Sequence, residues 1–285
     1  MQKEIIVTAA MTGRKIEYVL SGDLALSGNI IKKLKMSGGI LLNGEKVHIN
    51  QKLTKGDTLT LVFPEDRSEN IVGEAMELDI IYEDEDIIAI NKPPMIETHP
   101  SKNKNTGTLA NGVMYYFENR FTFRVITRLD KETSGVVLIA KNALSAQRLS
   151  EAMIKREIQK EYIAVVCGCP AEGQGVIDAP IKRAEGIRRI VAEDGKQAIT
   201  KYRVEREYDD LTLLKLKPIT GRTHQIRVHL AYMGTPIYGD WLYGRKIPGE
   251  RLRLHCSRVK FCHPSTGKLI EIEAPVPKDI VSLIK

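Results

Sequence analysis

A chain of 285 residues with 42% hydrophobic content is long enough to bury one substantial core and a small appended domain. It has no apolar run near the roughly 18 residues that span a bilayer, and MQKEIIVTAAMTGRK lacks the features of a signal peptide. Membrane-spanning and secreted classes are therefore excluded, a cytoplasmic location is expected, and the net charge of +7 invites a polyanionic partner.

In chain order, the first expected element is a helix. Ser27 is placed to cap GNIIKKLKMSG, whose spacing sets Ile30, Ile31 and Leu34 on one side and Lys32, Lys33 and Lys35 towards solvent. Asn43-Gly44 between ILL and KV then predicts a hairpin with a type I′ turn, and KGDTLTLVF reads as a further alternating strand. Residues 1–64 are thus expected to form a small N-terminal α/β domain. The polar, acidic stretch 65–77 has no apolar periodicity and reads as a linker, leaving 78–285 as the large domain.

DIIYEDEDIIAINK predicts two strands around the acidic turn from Glu83 to Asp86, and TLANGVMYYFENR has helical spacing. RVIT and VVLIAK read as strands on either side of the loop RLDKETSG, and NALSAQRLSEAMIKRE as the helix that follows. EYIAVVCG, AITKYRVERE and LTLLKLKPI are further strand-like runs. A short helix is expected from about Thr223 to Met233, with a final strand pair at RVKFC and KLIEIEAP. Many strands with few interspersed helices point to an α+β class, with a largely antiparallel mixed sheet flanked by helices.

Charge is unevenly spread. Residues 1–70 carry ten basic and eight acidic groups, residues 71–100 one and eight, and residues 101–285 a net +12. Basic clusters recur at Lys182, Arg183, Arg188 and Arg189, at Arg222 and Arg227, and from Arg245 to Arg253, a spacing suited to several phosphates. Cys167, Cys169, Cys256 and Cys262 form no C-x-x-C pair and read as reduced thiols, so no metal is expected.

Asp130 sits in the loop between two apolar runs, flanked by Arg128 and Lys131 and followed by Thr133, Ser134 and Gly135. A carboxylate beside cations stays ionised and can serve as nucleophile or base. From this loop alone, an aspartate that merely closes a turn with Thr133 or Ser134 is equally compatible.

RLDKETSG followed by VVLIAKN resembles the signature of the RluA-type pseudouridine synthases. INKPPMIETHP, KEYIAVVCG, GKQAITKYRV, GRTHQIRVHLAYMGTPIYGDWLYG and RLHCSRVKFCHPSTGKLIEIEAP agree with that family in order and spacing over about residues 78–277. Thr127 stands where the family commonly has histidine, and Met95 replaces a glycine. The N-terminal order of short helix, NG turn and GD-plus-strand resembles the alpha-L RNA-binding domain, although KIEYVLSGDLALSGN departs from its usual arginine-rich start.

The resemblance implies isomerisation of uridine to pseudouridine in a structured RNA, ribosomal RNA first and transfer RNA second, without cofactor, metal or protein partner. It makes Asp130 the catalytic carboxylate, Tyr162 the ring that packs on the target base and Arg227 the partner of Asp130. A flat guanidinium beside the aspartate would let Arg128 fill the gap left by a flipped base or, equally, hold a phosphate. Arg222 and Lys92 are expected to make RNA or structural contacts, and Lys32, Lys33 and Lys35 are expected among the RNA contacts. His224 and His229, at i and i+5, do not share a helix face and are expected to pack structurally.

Two other classes fit parts of the sequence. DKETSG is similar to an aspartyl-phosphate run, but that chemistry needs further acidic residues for magnesium, and the accompanying motifs here are basic. A non-catalytic RNA-binding or ribosome-assembly factor would use the basic surface equally well, yet would need no fixed set of Asp130, Tyr162 and Arg227.

Overall fold

The computed structural model describes residues 2–64, 68, 70–101 and 104–284. In the N-terminal unit, β1 (Gln2–Ile6) and the short helix α1 (Ile16–Tyr18) precede α2 (Gly28–Ser37), β2 (Ile40–Leu42), β3 (Glu45–Lys46) and β4 (Thr58–Val62). The four strands pair antiparallel in the order β1-β4-β2-β3. The Ser27 hydroxyl accepts from the Ile30 N–H at 3.4 Å, which satisfies one of the unpaired amides of the first turn, and Gly38 ends α2 in the left-handed region. Ile30, Ile31 and Leu34 are buried while Lys32, Lys33 and Lys35 are exposed, as the spacing required. Asn43 (φ 52°) and Gly44 (φ 89°) both take the positive φ that a type I′ turn demands.

The second unit contains β5 (Ile80–Glu83), β6 (Ile87–Lys92), α3 (Leu109–Tyr116), β7 (Arg124–Val125), β8 (Ser134–Ala140), α4 (Ala143–Ile154) and β9 (Gln159–Cys167). It continues with β10 (Gln174–Asp178), β11 (Ile181–Arg183), β12 (Arg189–Val191), β13 (Ile199–Tyr208), β14 (Leu211–Pro218), α5 (Gln225–Tyr232), β15 (Leu254–Cys262), β16 (Leu269–Glu273) and α6 (Lys278–Val281). The main sheet runs β10-β13-β14-β9-β15-β8-β6-β5, with β16 added on β15 and β7 on β8. Every pairing in it is antiparallel except β15 with β8, where His255 faces Ser134 and Cys256 faces Gly135. The fold is therefore the α+β class expected, with a mixed, largely antiparallel sheet.

That single parallel contact is made possible by one residue. A Cβ on Gly135 (φ 113°) would stand 2.2 Å from the Cys256 carbonyl oxygen, so a side chain there would push β15 away from β8. Because β8 directly follows the Asp130 loop, the close approach also anchors that loop's outgoing end.

Two apolar cores form. One lies between α2 and the small sheet; the other runs along the large sheet and includes Val136 to Ala140, Leu214, Leu216 and Val259. On this basis the division into 1–64, 65–77 and 78–285 remains our proposal. Residues 65–67 and 69 of the expected linker lie outside the described residues, but its later part is packed: Ile71 is buried in the large core and the Glu74 N–H donates to the Asn111 carbonyl. No helix among the described residues is long and apolar enough to cross a membrane.

Candidate active site

The RLDKETSG loop leaves β7 and enters β8. Thr127, at the position of the family's histidine, is buried and its hydroxyl accepts from the Leu138 N–H at 2.9 Å, so it ties the loop's first end to β8. At Asp130 the backbone turns, its carbonyl accepting from the Thr133 N–H, and the side chain remains about one-third exposed. The preceding residue is clasped from β6's extension: the Thr98 hydroxyl donates to the Leu129 carbonyl at 2.9 Å. Asp130 is thus held by its backbone, with its carboxylate left facing a cavity.

Lys92 completes this clasp, and here one expectation is corrected. It was expected to contact RNA or to serve structurally; it is fully buried, so the RNA contact is the part that fails. Its ammonium donates to the carbonyls of Pro93, Ile96 and Lys131, at 2.8, 2.8 and 3.2 Å. Three carbonyls match the three protons of an ammonium, so the lysine binds the end of β6 to the Asp130 loop. Burial lowers its pKa to about 7, Asp130 opposing that shift and Arg251 adding to it.

Arg227 projects from α5 and is buried. Its bidentate partner is Asp240: Nε donates to Oδ2 at 2.8 Å and Nη2 to Oδ1 at 2.7 Å. Asp130 is the looser partner, since Nη1 stands 3.9 Å from Asp130 Oδ2, within ion-pair reach but beyond a hydrogen bond. Glu132 lies 3.7 Å from Nη2 on the same side. Burial works against the guanidinium's charge, but Asp240, with Asp130 and Glu132 behind it, outweighs burial and raises the pKa. Asp240 is itself fixed, because Oδ1 also accepts from the Leu242 and Tyr243 N–H groups.

His224 approaches Asp130 from the other side, its Nε2 4.0 Å from Oδ1. It adopts φ 57° just before α5, and its Nδ1 pairs with the Tyr243 hydroxyl at 2.8 Å. His229, fully buried between Thr200 Oγ1 and the Ala179 carbonyl, has the structural role expected of it.

Asp130, Arg227 and His224 line one cavity of about 300 Å³ with Tyr162, Lys160, Arg128 and Arg222. That volume lies at the small end of ligand sites, roughly 300–1,000 Å³, and suits a single extruded nucleoside better than a stacked helix. Tyr162 lies on β9 and is buried; burial, the Cys256 thiol and Asp130 all push its phenol pKa well up, which keeps it neutral. Burial likewise raises the Cys256 thiol to about 12, so it presents no thiolate. Arg128 is exposed at the mouth, and Arg222 donates from Nε to the Gln197 carbonyl at 2.9 Å. Lys32, Lys33 and Lys35 belong to α2 and do not line this cavity.

Sequence reasoning therefore brought Asp130, Tyr162 and Arg227 to one place and missed Asp240, Glu132 and Tyr243. The available signal was the run GDWLYG, which follows Arg227 by a short interval, but spacing alone does not say which acid faces which cation. Among the described residues no group of three or more His, Cys, Asp or Glu side chains is placed to hold a metal ion.

The chain is similar to proteins of one family along most of its length. Residues 86–232 match the RNA pseudouridylate synthase family, and residues 3–59 match the RluD ribosomal pseudouridine synthase N-terminal domain. The chain is 40% identical to the uncharacterized RNA pseudouridine synthase YjbO of Bacillus subtilis over 93% of this chain and 96% of that protein. It is 34% identical to the ribosomal large subunit pseudouridine synthase D of Vibrio parahaemolyticus, over 99% of this chain and 95% of the relative. The solved structure of human RNA pseudouridylate synthase domain containing 1 superposes with a TM-score of 0.61 at 27% identity, covering 71% of this chain and 85% of the human one.

Proposed function

Because the chain belongs to the RNA pseudouridylate synthase family, we propose that the Asp130 cavity receives one flipped uridine of a ribosomal RNA and rearranges it there. The chain is an RNA isomerase: the C1′–N1 bond of uridine is exchanged for a C1′–C5 bond, with no net group transferred. The observation that carries the site reading is the convergence of Asp130, Tyr162 and Arg227 on one small cavity.

Asp130 is the one acid of the set whose carboxylate faces open space without a hydrogen-bonded cation, so it can attack C1′ or take the neighbouring sugar proton. Arg227, held by Asp240, keeps a positive charge 3.9 Å away, and substrate closure would tighten that contact. Tyr162 offers a neutral ring face on which the detached base can turn without competing chemistry. Arg128 at the mouth is placed to fill the stack or hold a phosphate. Arg222 and the exposed lysines of α2 would extend the RNA contact along the surface. Ribosomal RNA is favoured over transfer RNA by the similarity to large-subunit enzymes along nearly the whole chain. A bacterial RNA of that kind would place the enzyme in the cytoplasm.

The test is incubation of the purified chain with ribosomal RNA and transfer RNA side by side, followed by mapping of pseudouridine. Conversion at a defined ribosomal position is expected. Conversion of transfer RNA alone would overturn the ribosomal assignment, and conversion of neither would overturn the reading of the site.

A further inference from the structure

Lys160 is a cavity-lining cation with no role in the account above. It lies on β9 two residues before Tyr162, and residues two apart on a strand share a face, so both side chains turn to the same cavity. Its neighbours there are already engaged. Arg227 is bound to Asp240, Arg222 leans on the Gln197 carbonyl, and Arg128 is exposed at the mouth. Lys160 is half-buried, and among the described residues no hydrogen bond or ion pair holds its ammonium. The ammonium sits beside Gly221, where a Cβ would stand 3.7 Å from Nζ. Burial lowers its pKa, with the neighbouring Cys256 thiol opposing that shift.

A cation kept partly out of water without a partner is costly, and an incoming oxygen would recover that cost. The reaction supplies one. When C1′–N1 breaks, by either route open to Asp130, the bond's electron pair stays on N1 and spreads to O2 and O4 of the uracil. The ring then turns and C5 bonds to C1′ with that electron density, which returns Asp130 to a free carboxylate; Asp130 takes the C5 proton and N1 gains one from water. Between these events the negative charge that began on Asp130 resides on the detached base, since Asp130 is then either bonded to C1′ or protonated.

We propose that Lys160 is a catalytic residue whose ammonium donates a hydrogen bond to a carbonyl oxygen of the target uracil and stabilises the anionic base while it is detached. The proposal rests on the reading that the uridine enters the Asp130 cavity. Lys160 keeps its proton throughout and acts as a fixed charge, not as the acid or base of the proton transfers. The face it shares with Tyr162 puts the cation at the edge of a ring that packs on the tyrosine.

A second pocket, of about 250 Å³, shares Lys160 and Arg222 with the first and also includes Arg156. A phosphate ligand at Lys160 is therefore the competing outcome, and leaving-group chemistry separates the two. The RNA that the wild-type chain modifies would be transcribed with uridine or with 5-fluorouridine, whose fluorine already withdraws the charge of the departing base. Single-turnover loss of the starting nucleoside and RNA affinity are measured for Lys160→Met and Lys160→Arg. Lys160→Met should leave affinity within about twofold and slow uridine about 100-fold, as loss of one preorganised donor does. It should slow 5-fluorouridine at least about tenfold less, and Lys160→Arg should recover part of the uridine rate.

Equal slowing on both RNAs, or weakened affinity with the uridine rate intact, overturns the proposal. If the Met variant does not fold, Lys160→Gln, which removes the charge while keeping a polar N–H group, carries the same comparison. An Asp130→Asn chain that still converts uridine would instead remove the reaction from this cavity, and Lys160's role with it.

Discussion

Asp130 stands 3.9 Å from the nearest guanidinium nitrogen and 4.0 Å from His224, so its side chain contributes little to the fold and is free for chemistry. Asp130→Asn should therefore change stability by less than about 0.5 kcal/mol while pseudouridine formation falls to background and RNA binding persists. A folded variant that converts uridine at the wild-type rate would make Asp130 a turn residue only. Asp240 is the opposite case, fully buried and paired to a buried cation. Removing its charge strands Arg227, so Asp240→Asn should lose about 3–5 kcal/mol in urea unfolding and at least about tenfold in turnover. Turnover unchanged in the folded variant would dismiss Asp240 as a positioning residue. Lys92 gives a pH dependence. Its folded pKa is about 7 against about 10.4 for an unfolded lysine, so between those values the unfolded chain binds more protons and stability rises with pH. The stability difference between wild type and Lys92→Met should thus shift in favour of wild type from pH 7 to pH 10. A flat difference would show that the three carbonyls keep Lys92 protonated throughout. Met95 takes φ 68° where the family has glycine, a left-handed position that its Cβ opposes.

At the scale of elements, α4 belongs to both cores. Its first turn delivers Ala143 and Leu144 to the small N-terminal core, while Leu149 is buried in the large one. Gln147 reinforces the joint, accepting from the Ser27 N–H at 2.9 Å and donating to the Ala25 carbonyl. Leu144→Ala should cost about 2–3 kcal/mol and separate one unfolding transition into two, visible in a calorimetric scan. A single transition at the wild-type temperature would mean that the two cores are not coupled through this residue. The helical periodicity of α4 was readable from NALSAQRLSEAMIKRE, but not that its two ends serve different cores. The strands β10 to β12 escaped sequence reading for a related reason. GQGVIDAPIKRAEGIRRIVAEDGK has short, glycine-interrupted apolar spacing, and the β11–β12 pair is anchored mainly by Ile181 packing with Ala198 and Val228 from elsewhere. The helix α2 and its NG hairpin were legible because capping, turn chemistry and periodicity all act within a few residues.

Across the whole molecule the positive charge is concentrated away from the N-terminal unit, which carries nine basic against five acidic groups in residues 1–64 while residues 101–285 hold a net +12. Deleting 1–64 should weaken RNA binding and lower its salt slope by less than half, and should reduce the melting temperature because Leu144 loses its cover. RNA affinity equal to the full chain at every salt concentration would remove the N-terminal unit from the RNA interface. The sequence by itself determined the α+β class, most of the strands and helices, and the resemblance that identifies the reaction, since these depend on local periodicity and on motifs that keep their order. Tertiary structure alone decided that Arg227 is bound by Asp240, that Lys92 faces three carbonyls, and that Lys160, beside Tyr162, has no hydrogen bond or ion pair among the described residues. The physical reason is that an ion pair or a buried donor is set by which side chains meet when distant strands and loops pack, and β6, β9, α5 and the loop before β15 meet only once the sheet has closed around Asp130.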